Sequence, residues 1–478
     1  YEIRLSLVGS EMCIRDRADT FSDTIGVLDG IAGTTVGIAA GSNLTVGFND
    51  VSNTAFAGTL GSGIGTFSKI GAAPGTWTNT GTVNVGALVV GGTGFINNNA
   101  AITVAGAITG ATGTLVQNSA AATLTITGTG HNVLLNAAFA GNLVTYNGAA
   151  QTLITPSTSY SDLTLAGSGI KDTSGGFTIG DDLDVQGGVT FNLGTFSYNL
   201  AGDLTNAGTF SPQTSTVTLN GIAAQTFTDL TPADRLDLNN LTVNNTVANN
   251  IAVVLAVDTD LRVSGNLVLN NGSINVGAGG NIVDITSTAA AATSFNRTGT
   301  GHIYSTAGTA TVGVIVVRKA FATGNNQTIS FHVGSDPDGY TPADVGNLDI
   351  TVAGTLSAGT SDFARAGALG VSTPTTGGLD SNITRFWTVT NTGITLNLTD
   401  GGYNTTLTFL ATDVGTTNPT GTDFVVRRFD GIDWFTTARV SSTGTSVTAS
   451  NIISFSDFAC GNDATPSLFP TIVSGTRI

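Results

Sequence analysis

The sequence predicts an all-β protein, a parallel β-solenoid (β-helix) followed by a C-terminal antiparallel β-sandwich. Three observations carry that prediction. Helix-favouring residues are scarce: after Arg17 there is no glutamate and no methionine, and the whole chain has three lysines, Lys69, Lys171 and Lys319. Thr, Val, Ile and Asn stand in their place and suit strands and turns. Short apolar–polar–apolar triplets recur every 19 to 22 residues over much of the chain. From about residue 315 the style changes, with arginine and aromatic residues rising together.

The first element is residues 1–17, "YEIRLSLVGSEMCIRDR". It holds both glutamates, the single methionine and one of the two cysteines. "SLVGSEMCIRDR" resembles translated sequencing-adapter DNA, and the segment is expected to be non-native. A signal peptide would show a basic start and then about 7–15 apolar residues. Here Glu2, Glu11, Arg15, Asp16 and Arg17 scatter charge throughout.

The second element, residues 18–312, is the predicted solenoid. Its triplets begin at Val83, Ile102, Leu124, Leu143, Leu163, Leu183 and Leu204 and, after an irregular step through 216–221, at Leu241, Leu261, Ile282 and Ile303. A longer repeat overlies them. "YNGAAQT" (146–152) returns as "NGIAAQT" (220–226), and Leu163, Leu183 and Val185 match Leu241, Leu261 and Val263 at an offset of 78. A 20-residue unit of short strands cannot bury its own apolar face, but stacked units can. Roughly 14 rungs between residues 35 and 310, at about 4.8 Å each, predict a rod on the order of 65 Å long. The asparagine groups 97–99, 239–240, 244–245 and 270–271 are placed to form amide ladders.

The third element, residues 313–462, holds alternating runs such as "RFWTVT" (385–390), "TTLTFLA" (405–411) and "DFVVRRF" (423–429), and predicts an antiparallel sandwich. Residues 463–478 read as a linker or tail. At this point the chain resembles a family. "TVTLNGIAAQTFTDL" (216–230), "VGSDPDGYTPADVGNLDITV" (333–352), "RFWTVT" and "SFSDFACGN" (454–462) resemble large surface proteins of Bacteroidota-type bacteria. Those proteins join Gly/Thr/Asn-rich solenoid repeats to a terminal sandwich and commonly end in a sorting domain read by the type IX secretion system. No such domain falls within the 478 residues. The resemblance implies a secreted or cell-surface, adhesin-like role.

Charge narrows the partners. A formal net charge of −16 and a pI near 4.2 repel phosphate backbones, so no nucleic-acid partner is expected. No run approaches the roughly 18 apolar residues of a membrane-spanning helix. A glycan or another surface protein is the expected partner. Oligomeric state has no signature.

Chemistry was sought in four places. "GDDLD" supplies Asp181, Asp182 and Asp184, the alternative catalytic set of a polysaccharide-acting β-helix hydrolase or lyase; as turn residues they need no such role. His131, His302 and His332 lack metal-ligand spacing and read as isolated turn residues. No cofactor is expected except calcium at "SDPDGYTPAD", where Asp336, Asp338 and Asp344 partly echo a calcium loop but lack its closing glutamate. The row Thr123, Thr125, Thr127 and Thr129 suggests an ice-binding or glycan-binding solenoid as a further alternative. Trp434 and Tyr340 are aromatic glycan candidates. The expectation is a non-enzymatic extracellular or surface structural protein, in which a repetitive shaft gives reach rather than catalysis.

Overall fold

The computed structural model describes residues 22–462 except 48–52, 62–63, 72–74, 232, 234, 279, 306, 308–313, 363–381, 400, 415–423 and 430–433. The segment 1–17 and the tail 463–478 lie outside the described residues. Regular helix is confined to Ala291–Ser294 and a 3-10 turn at Ala411–Asp413. Nearly everything else that is regular is strand. Parallel strands stack into a β-solenoid of about 12 turns, and the C-terminal region is antiparallel. The turns are fewer than the expected 14 because later rungs lengthen. Ile274, Ile303 and Val333 are successive in-register partners, 29 and 30 residues apart. The chain divides into two compact units at Asn239/Asn240.

In the first unit, strands of two to five residues are too short to persist alone. Each is held by pairing with its equivalent one turn away. The register runs through Leu60, Val83, Ile102, Leu124, Val144, Leu163, Leu183, Leu204 and Phe227, a single apolar column, and every member is buried. Period-two alternation decides which residues enter it. In "LVTY" Val144 and Tyr146 point inward while Leu143 and Thr145 face out. Burying each such side chain contributes roughly 1.5–3 kcal/mol before ordering entropy is subtracted.

Corners explain part of the glycine excess. A Cβ on Gly128, Gly148 or Gly167 would collide with the carbonyl oxygen of Gly106, Thr127 or Gly148 on the rung below. Gly167 also has φ +77°, which a side chain would strain. The 74-residue recurrence is a local motif that changes face. Gln151 Nε2 donates to Ile126 O and Gly128 O, and Gln225 Nε2 to Leu200 O and Gly202 O. Yet Gln151 pairs with Lys171, whereas Gln225 opens the strand that joins the Val83–Phe227 column.

In the second unit, Leu241, Leu267 and Phe295 stack in one sheet, Leu261, Val283 and Val317 in another, and Ile274, Ile303 and Val333 in a third. Val317–Phe321 is the changeover strand. It pairs in parallel with Val283–Ile285 and antiparallel with Gly354–Ser361. Parallel pairing continues to Val333–Gly334, so the two architectures interleave over 317–334, beyond the expected boundary at 312/313.

One antiparallel sheet carries Gly354–Ser361, Asn382–Thr392, Asp457–Asn462 and Phe424–Phe429. The other carries Gly324–Phe331, Ala343–Val352, Tyr403–Thr408, Ser446–Ile452 and Ala438–Ser442. Trp387 is buried, its indole N–H donating to Thr341 O at 2.9 Å. Arg385 is buried with its partners in place: two bonds to Asp413 (2.7 and 3.1 Å), one to Ser335 Oγ (2.9 Å) and one to Asp362 (3.1 Å). Cys460 is free and buried, and burial pushes its thiol well up.

Candidate functional site

The acidic residues singled out in the sequence fall at a corner of the first unit. Each aspartate there precedes an inward leucine of the central column, so each sits one rung above the last. Asp162 Oδ1 accepts the Asp182 N–H at 3.2 Å, Asp182 Oδ1 accepts the Asp203 N–H at 2.7 Å, and Asp203 Oδ1 accepts the Thr226 N–H at 2.7 Å. The carboxylates therefore form a cap ladder, satisfying a backbone donor that the corner would otherwise leave unpaired.

Stacking brings like charges together. Oxygens of Asp162, Asp181 and Asp182 lie within 4.8 Å of one another, close enough to share a cation. Burial raises the pKa of Asp162, with Asp181 and Asp182 adding to the rise. Burial also raises that of Asp181, with Asp182 and Asp203 adding to it. Asp184 lies apart on the outward face, accepting from Gln186 Nε2 at 3.2 Å. Thus the fold joins Asp181 and Asp182 to Asp162 and leaves Asp184 out. The rung period held the signal for Asp162 and Asp203, each about 20 residues from Asp182 and immediately before Leu163 and Leu204.

The calcium candidate is not gathered. Asp336 Oδ1 accepts the Asp338 N–H at 2.9 Å within the turn, while Asp344 lies in the strand Ala343–Val352, opposite Ser330. Among the described residues the Asp162 trio is the group with metal-sharing geometry.

Two histidines are not isolated. Ile303 pairs with Val333, so one rung separates His302 from His332 although 30 residues intervene in the chain. His302 Nδ1 meets Ser273 Oγ at 3.0 Å and its Nε2 meets Asp336 O at 2.8 Å. Ser273 Oγ already accepts from Asn250 Nδ2 and from the His302 N–H, so it donates to Nδ1 and the ring is neutral, with its proton on Nε2. His332 Nδ1 meets the Tyr340 hydroxyl at 2.9 Å, and the Arg297 guanidinium lies 3.8 Å over the Tyr340 ring. Burial, then Arg297 and His302, push His332 down to about 4; burial also lowers His302. His131 stands by itself, its Nδ1 accepting the Ile108 N–H and its Nε2 meeting Gly128 O. Tyr340 is therefore already engaged on one face. The Trp434 side chain lies outside the described residues.

The threonine row is real and longer across rungs than along the strand. Thr103, Thr125, Thr145 and Thr164 pair in succession on the outward face, and Asp184, Thr205 and Thr228 continue the column.

No protein-family model, no curated protein and no solved structure matches the chain.

Proposed function

We propose that this chain is a non-enzymatic extracellular or cell-surface structural protein of the adhesin-like kind, a solenoid that carries an antiparallel β-region. The observation that supports this reading is the employment of its polar side chains. Asn79 Nδ2 donates to Asn98 Oδ1 and Asn98 Nδ2 to Gln117 Oε1, both at 2.8 Å and fully buried. The Asp162–Asp182–Asp203 ladder does the same work at another corner. Groups able to do chemistry are spent on holding rung to rung, which favours a durable scaffold exposed to its surroundings.

The test is retention of the purified chain on insoluble glycans and on intact cells, with release of reducing or unsaturated sugar followed in parallel. Retention without product is expected. Product release abolished by Asp182→Asn would replace this reading with the hydrolase or lyase alternative.

A second reading is favoured by the outward column Thr103–Thr125–Thr145–Thr164. Regularly spaced hydroxyls at about 4.8 Å suit an ordered surface such as ice. A difference between melting and freezing temperature that disappears in Thr125→Lys would establish it.

A further inference from the structure

We propose that the outward face of the second antiparallel sheet binds a short oligosaccharide bearing a free amine on a hexose ring. This inference rests on the surface-adhesion reading and names its ligand class. Strand alternation sends Ile329, Phe331, Val345, Leu407 and Val447 into the core and leaves small polar residues on the other side. Ser330 pairs with Asp344, Asp344 with Thr406, and Thr406 with Thr448, so four polar side chains form one row across four strands. In the neighbouring row Gly346 stands opposite Asn404, and the missing side chain deepens the floor. The groove encloses about 400 Å³. That is within the ~300–1,000 Å³ of small-ligand sites.

The lining selects the ligand by charge. Asp344 is half-buried, and burial raises its pKa against the opposing effect of the Ser330 hydroxyl. None of the ion pairs among the described residues reaches it. A partly desolvated carboxylate with no counter-ion favours a cation, and the chain's net −16 adds to that attraction while opposing phosphate, sulfate or uronate. Ser330, Thr406, Thr448 and Asn404 offer both donors and acceptors, the complement of ring hydroxyls. A ligand that answers both features is hydroxylated and carries one ammonium.

The experiment is calorimetric titration of the full chain with a glucosamine trisaccharide, its N-acetylated form, a glucose trisaccharide and spermidine. The free-amine trisaccharide is expected to bind, with affinity reduced about tenfold or more by N-acetylation or by Asp344→Asn. Gly346→Val should abolish binding by filling the floor. A Cβ at Gly346 meets only Thr328 Cγ2, at 3.8 Å, so Gly346→Ala serves as the folded control. Equal binding of the acetylated or glucose form, equal binding of spermidine, or indifference to both groove variants overturns the proposal. Retention on insoluble glycan is measured on the same variants. If it persists in Asp344→Asn and Gly346→Val, the groove is wrong and the adhesion reading stands. Loss of retention by the unaltered chain on every glycan and cell surface tested removes the adhesion reading, while the calorimetry still decides the groove.

Discussion

Lysine is used here as an internal cation. All three lysines are buried, and their ammonium groups face backbone carbonyls. Lys171 Nζ donates to Gly148 O and Ala149 O at 2.7 Å and to Gln151 Oε1 at 2.8 Å, which occupies its three N–H groups. Lys319 Nζ reaches Ser287 O, Ala289 O and Ala320 O, and Lys69 Nζ reaches Ile70 O. Burial pushes Lys171 and Lys319 down to about 8 from an ordinary 10.5. Between those values the unfolded chain binds more protons than the folded one, so stability rises with pH from about 8 toward 10. Tyr146 and Tyr304, raised by burial to about 12, act in the opposite sense. Their contribution is complete below the ordinary 10 and is lost as pH climbs toward 12. Urea midpoints measured from pH 7 to 11.5 should therefore rise, peak near 10 and fall. A monotonic decline from pH 7 would show that the carbonyl cages hold the ammonium forms against the cost of burial. Lys171→Met should remove the first rise in part and cost about 2–4 kcal/mol, because it leaves buried carbonyls without donors.

The rung is the element on which these residues act, and its corners are where side-chain size is decided. Gly148→Ala should cost several kcal/mol, since the new Cβ meets the Thr127 carbonyl, which the stacking register holds in place. Gly444→Ala, whose Cβ would meet nothing within 4 Å, should change stability by less than about 0.5 kcal/mol. Equal effects in thermal unfolding would sink the close-stacking account of the glycines. The aspartate ladder makes a sharper distinction. Asp182→Asn keeps an oxygen for the Asp203 N–H and removes one charge beside Asp162 and Asp181, so it should hold or slightly raise the melting temperature. Asp182→Ala should lower it by about 0.5–1.5 kcal/mol. Equal losses in both variants would mean that the charge itself, and not the cap, is what the corner needs. At this scale the triplets Val83 to Leu204 were legible because burial imposes a period of two within the strand and stacking a period near 20 between strands. Leu241 and Leu261 continued the spacing but belong to different sheets: Leu241 pairs with Leu267, and Leu261 with Val283. Triplet pattern reports burial, and every face of the solenoid is buried alike, so it could not say which face a strand takes. The same blindness hid the His302–His332 neighbourhood, which exists only because a 30-residue rung returns the chain to one place.

At the scale of the whole molecule the governing quantity is charge. Acidic residues number 32 against 16 basic ones, and of the basic groups the three lysines and Arg385 are buried. The surface is thus more one-signed than the composition suggests. Stacking worsens this, because a column repeats its carboxylates every rung at about 4.8 Å, inside the ~10 Å screening length of 0.1 M salt. Unfolding lets these charges separate, so folded-state repulsion should fall as salt is added. Opposing contributions are small. Arg235–Asp237 is a half-exposed pair, and such pairs contribute about 0–1 kcal/mol, while Arg385–Asp413 is buried and poorly screened. Sodium chloride from 10 mM to 0.5 M should therefore raise the thermal midpoint, with most of the gain below about 0.2 M, where the screening length contracts toward the rung spacing. Potassium chloride should act equally, because screening does not distinguish the cations. Asp181→Asn should raise the midpoint at 10 mM salt and lose most of that advantage at 0.5 M. A midpoint that ignores salt would mean that the carboxylates are already neutralised within the fold. A response to divalent ions at micromolar concentration, absent in Asp181→Asn, would locate that neutralisation at the Asp162–Asp181–Asp182 corner.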